Sequence, residues 1–178
     1  MTIHSQIPNK NIILIGMMGA GKTTIGKALA NHLKRDFYDL DQEIIKRCGV
    51  SIPTIFDIEG EDGFRKRESA TLEEMMSLEN IILATGGGAI LRPENRALLK
   101  QGFIIYLHAN AKQLYHRIAF DKNRPLMATD NPLKKIKELM ETRHGLYESL
   151  ANMKINTGYG TVNHTVNHIH TLLKQQPL

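Results

Sequence analysis

The sequence predicts an α/β fold: a five-stranded parallel sheet flanked by helices. Two observations carry that expectation. Short β-branched runs alternate along the chain with segments whose apolar residues recur at three- and four-residue spacing. No repeat period of about 20 to 50 residues, low-complexity tract or linker-like shift in composition interrupts the alternation. A chain of 178 residues with 42% hydrophobic content is long enough for one domain with a real core and short for two, so 1–178 is read as a single domain.

The strands are expected at "NIILIG" (11–16), "FYDL" (37–40), "NIILAT" (80–85), "FIIYLHA" (103–109) and "MKINT" (153–157). Strand runs separated by helical patterns are the signature of a parallel sheet covered on both faces. Helix punctuation agrees: in "RPENRALLKQG", Pro93 stands where a first turn begins and Gly102 where a helix stops.

Composition narrows the function classes. Cys48 is the single cysteine, the first residues "MTIHSQIPNK" lack the apolar region of a signal peptide, and no apolar run approaches the roughly 20 residues of a spanning helix. A soluble protein of a reducing compartment, the cytoplasm, is expected. The net charge is +5, but the basic residues are scattered singly and in pairs, which suits small anions better than nucleic acid or a membrane surface.

The most specific chemical signal is "GMMGAGKTT" (16–24), which matches GxxxxGK[ST] and lies between the first strand and the helical pattern "TTIGKALANHLK". Its glycines let backbone N–H groups turn toward a polyphosphate at a helix N-terminus, where the helix dipole favours negative charge. Lys22 then reaches the β- and γ-phosphates, and the Thr23 hydroxyl binds Mg²⁺. Such a loop implies a nucleoside triphosphate without saying what receives the phosphoryl group.

The second strand ends in "YDLDQEI". Asp39 and Asp41, two residues apart, point to one side of an extended chain, at the strand end where α/β sheets collect ligands. One carboxylate suits a Mg²⁺ shell and the other a hydroxyl proton; the competing reading makes Asp41 the cap of the helix "QEIIKRCG". In "FRKRESATLEEMM", Arg65 and Glu68 share a helical face, which an exposed intrahelical pair would also explain. Arg143 falls at the edge of an apolar stripe that includes Ile136, Met140, Tyr147 and Leu150. A guanidinium there needs a partner, either an internal acid or a substrate carboxylate matched to its two-pronged shape. Arg117 follows a helical pattern, whereas Arg124 precedes Pro125 in a polar stretch with the composition of a mobile lid or of a merely solvated loop, about 119–132. The triplet Gly86, Gly87 and Gly88 in "LATGGGAI" marks a sharp bend or a close approach. His164 and His168 stand at i, i+4, but no third metal ligand is in view and a surface helix explains them.

In order and spacing, "GMMGAGKTT", "FYDLDQEI", "IFDIEGEDGFRKRES", "LATGGGAI", "NRPL" and "RHGLY" resemble the shikimate kinase family from about residue 11 to 172. The resemblance implies a P-loop kinase fold with a substrate-binding segment at about 40–70 and a lid. It also implies transfer of the γ-phosphoryl group of MgATP to the 3-hydroxyl of shikimate. By the same resemblance Gly19, Ala20, Gly21, Lys22, Thr23 and Thr24 hold the phosphates, Thr23 and Asp39 serve Mg²⁺, and Arg117 lies along the adenine. Asp41 is the candidate base, and Arg65 and Arg143 grip the shikimate carboxylate. Glu68 orients the substrate-side arginine, Arg124 covers the phosphates, and Gly86 to Gly88 form a floor under the ring. On that basis Gly87→Val is expected to abolish shikimate binding while sparing ATP. The sequence departs from the family at Gly145, where proline is usual, which suggests a looser helix end, and in "NTGYGTV", which lacks the charged residues of some members. Another small-molecule P-loop kinase, such as a gluconate kinase, and a non-catalytic nucleotide-binding module are the alternatives. A monomer is expected.

Overall fold

The computed structural model describes residues 9–119 and 124–176. β1 (Ile12–Ile15) is the centre of the sheet, and all four of its side chains are buried, as a run of aliphatic residues without alternation requires of a strand covered on both faces. The phosphate loop leads into α1 (Lys22–Leu33). β2 (Phe37–Asp39) passes directly into α2 (Leu40–Cys48), so Leu40, expected in the strand, starts the helix. α3 (Ile52–Met76) begins well before the "FRKRES" pattern: Ser51 caps it, Pro53 sits in its first turn, and Gly60, at φ 70°, bends it in two.

β3 (Ile82–Ala84) is followed by the glycine triplet and a 3₁₀ turn, Ala89–Leu91. Then come α4 (Pro93–Leu99), β4 (Phe103–His108) and α5 (Ala111–Ile118), the last closed by an Asn110–Gln113 capping box. After the 3₁₀ turn Pro125–Met127, α6 (Pro132–Leu150), β5 (Met153–Asn156) and α7 (Val162–Lys174) complete the fold. Residues 120–123 of the expected lid lie outside the described residues.

The five strands are parallel in the order β2-β3-β1-β4-β5. The path from β1 runs over β3 to reach β2, and the path from β3 runs over β1 to reach β4. Chain therefore leaves the carboxyl end of β1 and of β3 in opposite directions, which opens a crevice there. α2, α3 and α6 wall one end of that crevice, and α5 and α7 wall the other.

α6 does not loosen at Gly145. The helix runs five residues past it to Leu150, and a Cβ built on Gly145 meets nothing within 4 Å. Only the backbone entropy of glycine remains as a cost, so Gly145→Ala is expected to stabilise the fold by about 1 kcal/mol, seen as a higher Tm in thermal unfolding.

Candidate active site

The phosphate loop takes its shape from three glycines with positive φ: Gly16 (144°), Gly19 (78°) and Gly21 (98°). Space enforces the first as well as conformation, since a Cβ on Gly16 would stand 2.4 Å from the Leu107 carbonyl oxygen. Lys22, the first residue of α1, folds back along the loop, and its Nζ donates to Gly16 O at 2.7 Å and to Met17 O at 2.8 Å. The ammonium is buried; that burial, with Arg124 adding a like charge, pushes its pKa down to about 7.

Thr23 donates from Oγ1 to Asp39 Oδ2 at 2.5 Å, while Asp39 Oδ1 accepts from the backbone N–H of Gln42 at 3.2 Å. Asp39, not Asp41, is thus the cap of α2. The expected extended pair is not present either, because the chain turns helical at Leu40 and places Asp41 in the first turn of α2. Both carboxylates nonetheless reach the cleft. Asp41 Oδ1 is buried with no hydrogen-bond partner among the described residues. Burial, and then the Asp39 charge, raise its pKa. The hard oxygens of Thr23 and Asp39, beside a polyphosphate cradle, have the chemistry of a Mg²⁺ site that keeps several waters. His164 and His168 are exposed on α7, and no group of three or more metal-ligating side chains occurs among the described residues.

Arg65 and Glu68 are not an exposed pair. Glu68 is 0% exposed, and its Oε1 accepts from Arg65 Nη1 at 2.8 Å; Glu61 meets Arg65 Nη2 at 3.2 Å. Glu68 Oε2 has no hydrogen-bond partner among the described residues, and burial raises the pKa of the group. Arg143 is buried at 3% exposure, and no described carboxylate lies within 4.0 Å of it, so it has no direct ion-pair partner, although its charge acts on Glu68 at longer range.

The glycine triplet answers to close approach and not to strain, because none of the three has positive φ. A Cβ on Gly86 would sit 3.0 Å from both Asp41 Oδ1 and Glu68 Oε2. One on Gly87 would sit 3.4 Å from Arg143 Nη1 and from the backbone nitrogen of Met18, and one on Gly88 would collide with the Arg65 guanidinium at 2.3 Å.

The cleft has two joined compartments. The first is lined by the loop Gly19 to Thr24, Asp39, Arg117, Thr157, Gly160, Thr161 and Val162. Arg117 is tied there by hydrogen bonds to Gly19 O at 2.9 Å and Thr157 O at 2.5 Å, which join the phosphate loop to the end of β5. The second is lined by Arg65, Glu68, Gly88 and Arg143, with an apolar wall of Ile52, Phe56, Phe64 and Leu126. Met18, Asp41, Gly86, Gly87 and Arg124 face both. Every site residue expected from the sequence lies in this cleft. The apolar wall and Thr157 were not foreseen: isolated aliphatic and aromatic residues in a helical pattern read as core.

A phosphate loop on a parallel sheet, opening onto a small compartment lined by arginines and acids, defines a small-molecule kinase of the P-loop class. The chain belongs to the shikimate kinase family, whose sequence model matches residues 18–174. Family members are ATP-dependent kinases that phosphorylate a hydroxyl of shikimate. The chain is 52% identical to a shikimate kinase from Burkholderia thailandensis, covering 94% of this chain and 91% of that one. It superposes on a solved shikimate kinase from Acinetobacter baumannii in complex with shikimate at a TM-score of 0.94, with 42% identity over 97% of each chain. A gluconokinase from Sinorhizobium meliloti shares the fold alone, at a TM-score of 0.59 and 17% identity over 94% of this chain and 93% of that one.

Proposed function

We propose that the first compartment holds ATP with Mg²⁺ and the second holds shikimate, whose 3-hydroxyl receives the γ-phosphoryl group. One observation carries the assignment of roles: two buried arginines, Arg65 and Arg143, converge with half-buried Asp41 beside the phosphate-loop lysine. In this reading Arg143 and Arg65 bind the acceptor carboxylate, and Glu68 holds Arg65 in place. Asp41, its proton affinity raised by burial, aligns the attacking hydroxyl and takes its proton. Lys22 and Arg124 neutralise charge on the transferring group, and Thr23 and Asp39 hold Mg²⁺, which supplies further neutralisation of the phosphates. Phosphoryl transfer asks for positioning and charge stabilisation more than covalent chemistry, and this residue set supplies both. Because one chain supplies the whole cleft, we propose a monomer, acting in the cytoplasm on soluble small molecules.

The test is a coupled assay of ADP release with MgATP, comparing shikimate, quinate, gluconate and nucleoside monophosphates. Turnover restricted to shikimate is the expected result; turnover with another acceptor alone overturns the reading.

The triplet offers a sharper probe than Gly87→Val. A side chain at Gly87 presses on Arg143 and also on the phosphate-loop nitrogen of Met18, so its effect spreads to both substrates. At Gly88 the three atoms nearest an added methyl all belong to the Arg65 guanidinium, the far end of a long side chain, and the methyl displaces it. Gly88→Ala is therefore expected to raise the KM for shikimate about tenfold, near the value of one charge-assisted hydrogen bond, with the KM for ATP unchanged in steady-state kinetics.

A further inference from the structure

The glycine floor has a second side, and a buried phenol is fastened to it. Tyr147 is 1% exposed and lines neither compartment of the cleft. Its hydroxyl donates a short hydrogen bond to the carbonyl of Gly87 and lies 3.9 Å from Met17 Sδ, at the start of the phosphate loop. The ring cannot drift, since it stacks on Tyr106 of β4 at 5.0 Å between centroids, and Tyr106 is itself held through its hydroxyl by His144 at 3.0 Å. Arg143, one turn earlier on α6, bears on the same phenol oxygen and also faces Gly87.

The peptide unit between Gly87 and Gly88 is trans, as are all the described peptide bonds, so its C=O and N–H point in opposite directions. With the Gly87 carbonyl drawn toward Tyr147 on the buried side, the Gly88 N–H is turned toward the cleft that both glycines line. No backbone acceptor takes that N–H among the described residues. Three glycines in a row leave this peptide free to turn over, and a flipped peptide would present a carbonyl to an anionic acceptor in place of a donor. Something must hold it, and the phenol is the group in contact.

We propose that the Tyr147 hydroxyl is a positioning residue for the acceptor. By pinning the Gly87 carbonyl it aims the Gly88 N–H into the acceptor compartment as a donor to an acceptor oxygen, and it keeps that donor in register with Arg143. The inference rests on the reading of the second compartment as the shikimate site, and it adds a residue that does not touch the substrate.

Tyr147→Phe removes one oxygen and keeps the ring stack. It is expected to raise the KM for shikimate about tenfold, to leave the KM for ATP and kcat within about twofold, and to lower Tm by no more than a few degrees. Combined with Arg143→Lys, the two losses are expected to be less than additive, because both act through one arrangement of Gly87. Building the substitution on Gly145→Ala, away from the cleft, offsets the lost hydrogen bond and keeps the variant folded. An unchanged KM for shikimate overturns the inference, as does an equal rise in both KM values with a large fall in Tm, which marks a packing role. Wild-type enzyme run alongside separates the two readings: shikimate turnover with no effect of Tyr147→Phe sinks this inference alone, and no shikimate turnover by wild type sinks both.

Discussion

Lys22→Met is expected to lower kcat/KM for phosphoryl transfer by about 10³-fold or more without lowering Tm. Removing one preorganised donor from a developing oxyanion costs about 10²- to 10³-fold, and Lys22 contributes a full charge as well as its hydrogen bonds. Its burial is a cost to the free protein: the ammonium rests on two carbonyl oxygens, and Arg124 adds a like charge. A methionine of similar length fills the same space with nothing to desolvate, so the free enzyme is expected to melt at the same temperature or higher.

The same residue makes nucleotide binding pH-dependent. A lysine whose folded pKa is lowered to about 7 from 10.5 destabilises the fold fully below about pH 7, and the penalty fades as pH rises from there toward 10.5. Bound phosphates favour the charged form and lift the pKa again. ATP binding at about pH 8.5 is therefore expected to take up a proton, read as a dependence of the calorimetric binding enthalpy on buffer ionisation enthalpy and absent in Lys22→Met.

Local pattern carried most of this molecule because its elements answer to local physics. All five strands stand where short β-branched or aromatic runs place them, and the phosphate loop is legible because a polyphosphate needs glycines, a helix start and a lysine at fixed spacing. Two features escaped because they are tertiary. The front half of α3 has no clean apolar stripe: Gly60 breaks its periodicity, and its Ile52 and Phe56 line the cleft at the edge of the core. Tyr147 is indistinguishable in sequence from any core aromatic on the α6 stripe, and its contact with Gly87 spans 60 positions. Asp39 and Asp41 show a third limit. The two carboxylates do converge on one cleft, but through a strand that becomes a helix between them, which no period-2 reading contains.

Arg143 is where the fold itself points to a ligand. A guanidinium at 3% exposure with no described carboxylate within 4.0 Å has no direct ion-pair partner in the free protein and feels Glu68 only at longer range, and a charge of that kind persists where a partner arrives from outside. Arg143→Met is expected to lower kcat/KM for shikimate by about 10²- to 10³-fold, roughly 3 to 4 kcal/mol, mostly as a higher KM, because a two-pronged charge-assisted contact is lost. Arg143→Lys is expected to recover only part of this, since an ammonium offers a point charge where a planar fork is needed. Stability should move the other way. With the buried charge gone, Arg143→Met is expected to melt no lower than wild type, whereas breaking an internal ion pair would cost about 3 to 5 kcal/mol. Shikimate methyl ester completes the cycle. It should lose more against wild type than Arg143→Met loses against shikimate, because the ester gives up the Arg65 contact as well, and it should lose less against the variant than against wild type, because the Arg143 contact is already gone. Full additivity of the two losses would place the acceptor carboxylate elsewhere in the compartment and leave Arg143 without the partner its burial demands.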